Sequence, residues 1–97
     1  MKESDLYAKI VQDLKIRFPN CKVIKIHGDQ YMEVGIPDLI GCIPPSGKTI
    51  AIETKIRNNK PTKIQLYRME EYRKAGAIVF WCNSFEDYLK KLKESNL

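Results

Sequence analysis

Asp38 and Glu53 supply two carboxylates and Lys55 an amine, a set able to bind a cation and hold a water. Glu53 and Lys55 lie in Lys48 to Ile56, a run rich in β-branched residues that reads as a strand. Side chains alternate along a strand. Ile50, Ile52 and Thr54 therefore share one face, and Ala51, Glu53 and Lys55 share the other. Leu39 to Ile43 reads as the strand before it, and Pro44-Pro45-Ser46-Gly47 is turn material between them. Closing that hairpin with Ile43 opposite Lys48 sets Asp38 directly across from Glu53. Opposed side chains have Cβ atoms roughly 4.5–5.5 Å apart. A bulge at Gly41 would shift this register by one residue.

Two carboxylates that close repel each other unless one is protonated or a cation lies between them. A divalent metal with oxygen ligands resolves the conflict, and Mg²⁺ typically takes one or two carboxylates plus water and substrate phosphate. Such an ion would polarise a scissile phosphate and lower the pKa of a bound water. Lys55 beside the pair can hold a water or a phosphate oxygen. The plain alternative is that Glu53 and Lys55 form an exposed ion pair at a strand end.

The remaining elements must position these groups. Leu6, Tyr7, Ile10, Val11, Leu14 and Phe18 recur at a helical period, so a first helix runs from a cap at Ser4 or Asp5 to about Phe18 and stops at Pro19-Asn20. Cys21 to His27 alternates as a strand ending at Gly28, with a polar loop from Asp29 to Gly35. Arg57 to Pro61 is a second polar loop. Thr62 opens a helix that reaches Ala75, and Gly76 ends it. Ala77 to Cys82 is an apolar run read as a buried strand, and Ser84 caps a last helix, Phe85 to Glu94. The order α-β-β-β-α-β-α describes one α/β domain over residues 1–97, a mixed sheet flanked by helices, with no repeats or linkers.

Composition agrees with this class. The 97 residues are 43% hydrophobic and 30% charged, with a net charge of +5, which favours an anionic partner. Lys55, Arg57, Lys60, Lys63, Arg68, Arg73 and Lys74 crowd one stretch against only Glu70 and Glu71. That stretch suits a nucleic-acid backbone and equally suits a solvated helix face. No apolar run spans a membrane, no signal peptide is visible, and a cytoplasmic setting is expected. Cys21, Cys42 and Cys82 are odd in number, widely spaced and set in or beside apolar runs, so three buried, reduced thiols are expected. With one histidine and no Cys-x-x-Cys pair, a structural zinc site is not indicated.

Gly35-Ile36-Pro37-Asp38-Leu39 followed by Ile52-Glu53-Thr54-Lys55 resembles the Pro-Asp…Glu-x-Lys pattern of the PD-(D/E)xK nuclease superfamily. The Gly-x-Pro-Asp-Leu form, with Gln65 and Arg73-Lys74-Ala75-Gly76-Ala77 after it, resembles the VRR-NUC family in particular, as a stand-alone member. The resemblance covers nearly the whole chain and implies a restriction-endonuclease-like αβββαβ core. It implies Mg²⁺- or Mn²⁺-dependent cleavage of phosphodiester bonds in DNA, leaving 5′-phosphate and 3′-hydroxyl ends. Asp38 and Glu53 would bind the metal with the Thr54 carbonyl, and Lys55 would position the water. An acidic residue on the first helix matches Glu3 as a further ligand, and Gln65 gains an active-site role. Stand-alone relatives are associated with four-way-junction cleavage in replication and repair, which implies a two-fold homodimer on branched DNA in a bacterial or phage-infected cell. No organic cofactor or membrane is implied. The alternative is a nucleic-acid-binding or structural subunit of a replication or repair assembly that has no catalysis of its own.

The residues themselves leave several roles open. Glu3 shares a stripe with Tyr7, Ile10 and Leu14 and so points inward, although a glutamate in a first turn is also favoured by the helix dipole alone. Thr62-Lys63-Ile64-Gln65 fits a capping box, which would occupy Gln65 locally; Gln65 also shares a face with Met69 and Tyr72, toward the sheet. His27 ends strand one as a phosphate contact or a plain polar strand end, and Tyr31 in the next loop could stack on a base. Lys25, Arg57, Lys60 and Lys63 are candidate DNA contacts. Lys90, Lys91 and Lys93 read as a solvated face, and Tyr7, Val11, Met32 or Leu66 are the apolar residues left for a dimer interface.

Overall fold

Leu6, Ile10 and Leu14 recur every fourth residue and are fully buried, which makes the first helix amphipathic. In the computed structural model, which describes residues 2–28 and 32–97, this helix is α1 (Glu3–Arg17). It starts slightly before the expected cap. Asp5 still satisfies the helix start, from inside the first turn, by accepting from the Lys2 backbone N–H at 3.0 Å. The following elements are β1 (Lys22–Lys25), β2 (Leu39–Ile43), β3 (Lys48–Thr54), α2 (Lys63–Lys74), β4 (Ile78–Cys82) and α3 (Phe85–Glu94). β1 is shorter than expected, although Ile26 N–H still donates to the Asp38 carbonyl at 2.7 Å.

The four strands stand in chain order, with β1–β2 and β2–β3 antiparallel and β3–β4 parallel. The parallel pair requires a crossover, and α2 supplies it. The β2–β3 register is the one that the turn dictates: Ile43 faces Lys48 and Leu39 faces Ile52. Pairing runs through Gly41 with no bulge. A side chain there would drive its Cβ to within 2.4 Å of the Lys22 carbonyl oxygen, so glycine is what lets β1 lie close to β2.

Alternation divides the core into two layers. Leu39, Ile43, Ile50 and Ile52 meet α1 and α3 through Leu6, Ile10, Leu14, Tyr88 and Leu92. On the opposite face, Ala51 and Val79 meet Met69 of α2, with Ile40, Tyr72 and Trp81 packed around them. Each large aliphatic side chain buried this way stabilises the fold by about 1.5–3 kcal/mol. Tyr88 is fully buried, and its hydroxyl donates to Asp13 Oδ2 at 2.6 Å, which ties α3 to α1.

β4 is an edge strand, and its outward carbonyls are covered. Arg73 Nη2 donates to the Val79 oxygen at 3.1 Å and Lys91 Nζ to the Trp81 oxygen at 2.6 Å. These contacts blunt the edge against strand addition. Lys91 is therefore not part of a solvated lysine face, as its run suggested. The cysteines also differ from expectation: all three are free, but Cys42 is exposed and Cys21 only half-buried. Burial pushes the Cys82 thiol up to about 12. Among the described residues no helix is long and apolar enough to cross a membrane.

Candidate active site

The hairpin register carries one step past Leu39–Ile52 and sets Asp38 beside Glu53. Three local features hold Asp38 there. Gly35 adopts φ +88, open chiefly to glycine, and a Cβ on it would press to 3.1 Å from the Ile64 backbone. Pro37 is fully buried, and Arg68 of α2 donates from Nε to the Val34 carbonyl at 3.0 Å, which clamps the approach to the motif.

The Pro-Asp pair has a physical reason at this spot. The next step of the β2–β3 ladder falls between Thr54 and Pro37. Instead of meeting a backbone carbonyl there, the Thr54 N–H donates to Asp38 Oδ2 at 3.0 Å, and the Thr54 hydroxyl donates to the same oxygen at 2.8 Å. The N–H and C=O of a strand residue face the same flank, so the Thr54 carbonyl also faces Asp38. Pro37 has no N–H to give that carbonyl. By that ladder geometry the Thr54 carbonyl is a candidate ligand oxygen on the Asp38 side.

Glu53 is buried, at 2% relative exposure. Lys55 Nζ lies 3.4 Å from its Oε2, and Gln65 Nε2 donates to the same oxygen at 3.4 Å. Oε1 is buried with no hydrogen-bond partner among the described residues. Such a group is costly unless a proton or a cation satisfies it. Burial, then the neighbouring Asp38 charge, pushes the Glu53 carboxyl up to about 7, and Lys55 pulls against that rise. A buried carboxylate with one orphaned oxygen, a second carboxylate beside it and an adjacent carbonyl is a donor set that fits a hard divalent cation.

Gln65 fills both roles left open by the sequence. Its Oε1 accepts from the Thr62 N–H at 2.9 Å while Thr62 Oγ1 accepts from the Gln65 N–H at 3.2 Å, a complete capping box. The cap fixes the side chain so that its amide nitrogen aims at Glu53. The structure thus brings Asp38, Glu53, Thr54, Lys55 and Gln65 together. Glu3 does not join them: it is half-buried at the start of α1, and among the described residues no three His, Cys, Asp or Glu side chains form one metal-sized group.

The basic residues divide into two sets. Arg68 pairs with Glu71 at 2.9 Å, and Arg73 pairs with Glu70 at 2.5 Å, so these two serve the fold. Arg57, Lys60 and Lys63 are exposed on the loop between β3 and α2 and on its first helical residue. Lys25 lies 4.3 Å from the Tyr7 ring centroid, and the Tyr7 hydroxyl is raised by burial and by the charge of Asp38, so both stand on the Asp38 side. His27 is exposed beyond β1. Tyr31 lies outside the described residues. Sequence reading missed the Arg68 clamp, whose only signal was its spacing from Glu71, and also Trp81 at the rim of the site.

Fold and constellation together define the class: a mixed α/β domain with an αβββαβ core, a carboxylate pair and a lysine at the end of its central hairpin. A search of solved structures returns a chain described as a VRR_NUC domain, 31% identical, with a TM-score of 0.66, over 89% of this chain and 92% of that one. The chain belongs to the VRR-NUC family and is a nuclease domain. Scans against family models and against curated proteins return no match.

Proposed function

We propose that the protein is a metal-dependent DNA endonuclease that hydrolyses phosphodiester bonds at Asp38, Glu53 and Lys55. The observation that carries this reading is the orphaned, buried Glu53 oxygen next to Asp38. Asp38, Glu53 and the Thr54 carbonyl would hold the ion. Bound there, Mg²⁺ or Mn²⁺ would supply Lewis-acid polarisation of the phosphate and a more acidic water.

The chain's own residues supply orientation and charge. Thr54 fixes the Asp38 carboxylate through two hydrogen bonds, and Gln65 and Lys55 fix Glu53 through one oxygen. Lys55 has three donors. One is spent on Glu53, which leaves two to orient a water or to meet negative charge growing on the phosphate in the transition state. Arg57, Lys60 and Lys63 suit the flanking phosphates.

A two-fold homodimer acting on branched DNA is the finer form of this proposal. Ile64, Leu66 and Tyr67 on α2 are exposed apolar side chains, with Met32 and Val34 exposed on the loop that Arg68 clamps. They support an interface on that side. Tyr7 and Val11 do not, because they pack against the core. The test is purified protein on linear, flapped and four-way-junction DNA, in EDTA and then in Mg²⁺ or Mn²⁺. Metal-restored cutting with 5′-phosphate ends is expected, with branched substrates preferred over linear duplex. Undiminished cutting in excess EDTA would remove the metal mechanism.

A further inference from the structure

We propose that the cleft between the β3–α2 loop and β4 is a base-binding subsite, which holds one unpaired nucleotide beside the cleavage centre. The proposal rests on the nuclease reading and names the substrate class: DNA with an unpaired nucleotide next to the cut.

The cleft, of about 390 Å³, is lined by Arg57, Asn58, Asn59, Lys60, Trp81 and Asn83. Its size lies within the range of small-molecule sites. Its position follows from topology. Trp81 is the ladder partner of Glu53 across the parallel β3–β4 pair, so the two side chains stand on one face of neighbouring strands. Arg57 follows Lys55 by two residues on the other side. The cleft therefore opens one strand away from Glu53, while Asp38 lines a separate pocket with Gly35 and Ile36.

The chemistry of the lining is that of a nucleobase site. Trp81 is the one tryptophan of the chain. Its ring is half-buried and anchored by packing on the Ala51, Met69 and Val79 cluster. Lys91 Nζ lies 4.4 Å from the ring centroid and is itself held by the Trp81 carbonyl at 2.6 Å and by Asp87 at 3.2 Å. Lys91 therefore covers one face of the indole and holds it, so a base would stack on the ring surface that lines the cleft, and a fixed aromatic loses little freedom on stacking. Asn58, Asn59 and Asn83 bring three side-chain amides to the rim, each able both to donate and to accept along a base edge. Arg57 and Lys60 are exposed cations at the same rim, suited to the adjoining phosphates. A base inside continuous duplex has both faces stacked and its pairing edge occupied, so stacking and amide contacts together select an unpaired base.

A single tryptophan makes the test direct, because the protein's indole emission reports this ring alone. The Asp38→Asn variant of the chain in Ca²⁺ is titrated with a short oligothymidylate, with the same strand carrying abasic sites, and with a continuous blunt duplex, binding being followed by anisotropy. Base-bearing single strand should quench the emission and bind roughly tenfold more tightly than the abasic strand. The abasic strand and the duplex should leave the emission unchanged. Asn59→Ala, at an exposed loop position, should weaken the oligothymidylate several-fold, and Trp81→Leu should erase the preference over the abasic strand. Binding without quenching, or equal quenching by the abasic strand, would overturn the subsite. Cutting by Asp38→Asn in Mg²⁺ would overturn the cleavage centre and leave the subsite result standing, so the two failures are distinct.

Discussion

Replacing Glu53 by glutamine should stabilise the metal-free protein at neutral and alkaline pH. The Glu53 carboxyl sits at about 7 in the folded chain against an ordinary 4.5, and that value already includes the opposing pull of Lys55. Below about pH 4.5 the group is protonated in both states and costs nothing. As pH rises the unfolded chain ionises first, so the native state loses stability across the window from 4.5 to about 7. The full difference corresponds to about 3 kcal/mol. Glutamine has no such loss, and its amide offers Asp38 a donor. The advantage of Glu53→Gln over wild type should therefore be small near pH 4.5 and reach about 3 kcal/mol by pH 8. For a domain of this size that is roughly 10–20 °C in Tm. Thermal unfolding in EDTA across this pH range measures it. Millimolar Mg²⁺ should then raise the wild-type Tm at pH 8 and leave the variant nearly unmoved, because the ion replaces the missing proton. Parallel profiles for the two proteins in EDTA would mean that Glu53 carries no raised pKa in the folded chain.

Three further outcomes follow from the same geometry. Changing Arg57, Lys60 and Lys63 together to alanine should weaken DNA binding across all sequences and flatten its dependence on salt; an unchanged salt slope in titrations would place the contact surface elsewhere. Gly35→Ala should destabilise the fold by at least about 1 kcal/mol in denaturant melts, since its φ of +88 and the 3.1 Å approach to Ile64 both oppose a Cβ. Gln65→Ala should lose the half of the capping box in which its Oε1 accepts from the Thr62 N–H, at about 0.5–1.5 kcal/mol, and should also lower the cleavage rate by freeing Glu53; a loss of stability with an unchanged rate would confine Gln65 to the helix.

The carboxylate pair was legible because a four-residue turn and strict alternation fix the β2–β3 register, leaving only the bulge question at Gly41. The α2 boundaries were legible for a similar reason: Thr62 and Gln65 sit at capping-box spacing, and Gly76 follows the last turn. Contacts that depend on how separate elements meet were not. The i,i+3 spacing of Arg68 with Glu71 and of Glu70 with Arg73 is local, but nothing local announces that Arg68 also reaches the Val34 carbonyl, that Arg73 reaches the Val79 carbonyl, or that Lys91 curls onto Trp81. Charge counting therefore overstated the free basic surface. Glu3 is half-buried on α1, but a helical period gives a direction and not a distance, and among the described residues it forms no metal-sized group of three with the carboxylate pair. Cys42 shows a comparable limit. Its neighbours in sequence are apolar, yet alternation turns it outward between buried Gly41 and Ile43.

The decisive measurement of the metal-binding role of Asp38 is the cleavage rate of Asp38→Asn. The substitution keeps the size and shape of the side chain, and the Thr54 hydrogen bonds can still be accepted by the amide oxygen. It removes one of the two charges that would hold the ion. In Mg²⁺ or Mn²⁺, with folding verified by circular dichroism, the rate on DNA that the wild type cuts should fall at least about a hundredfold. A folded Asp38→Asn protein cutting at close to the wild-type rate would mean that the cleavage centre lies elsewhere.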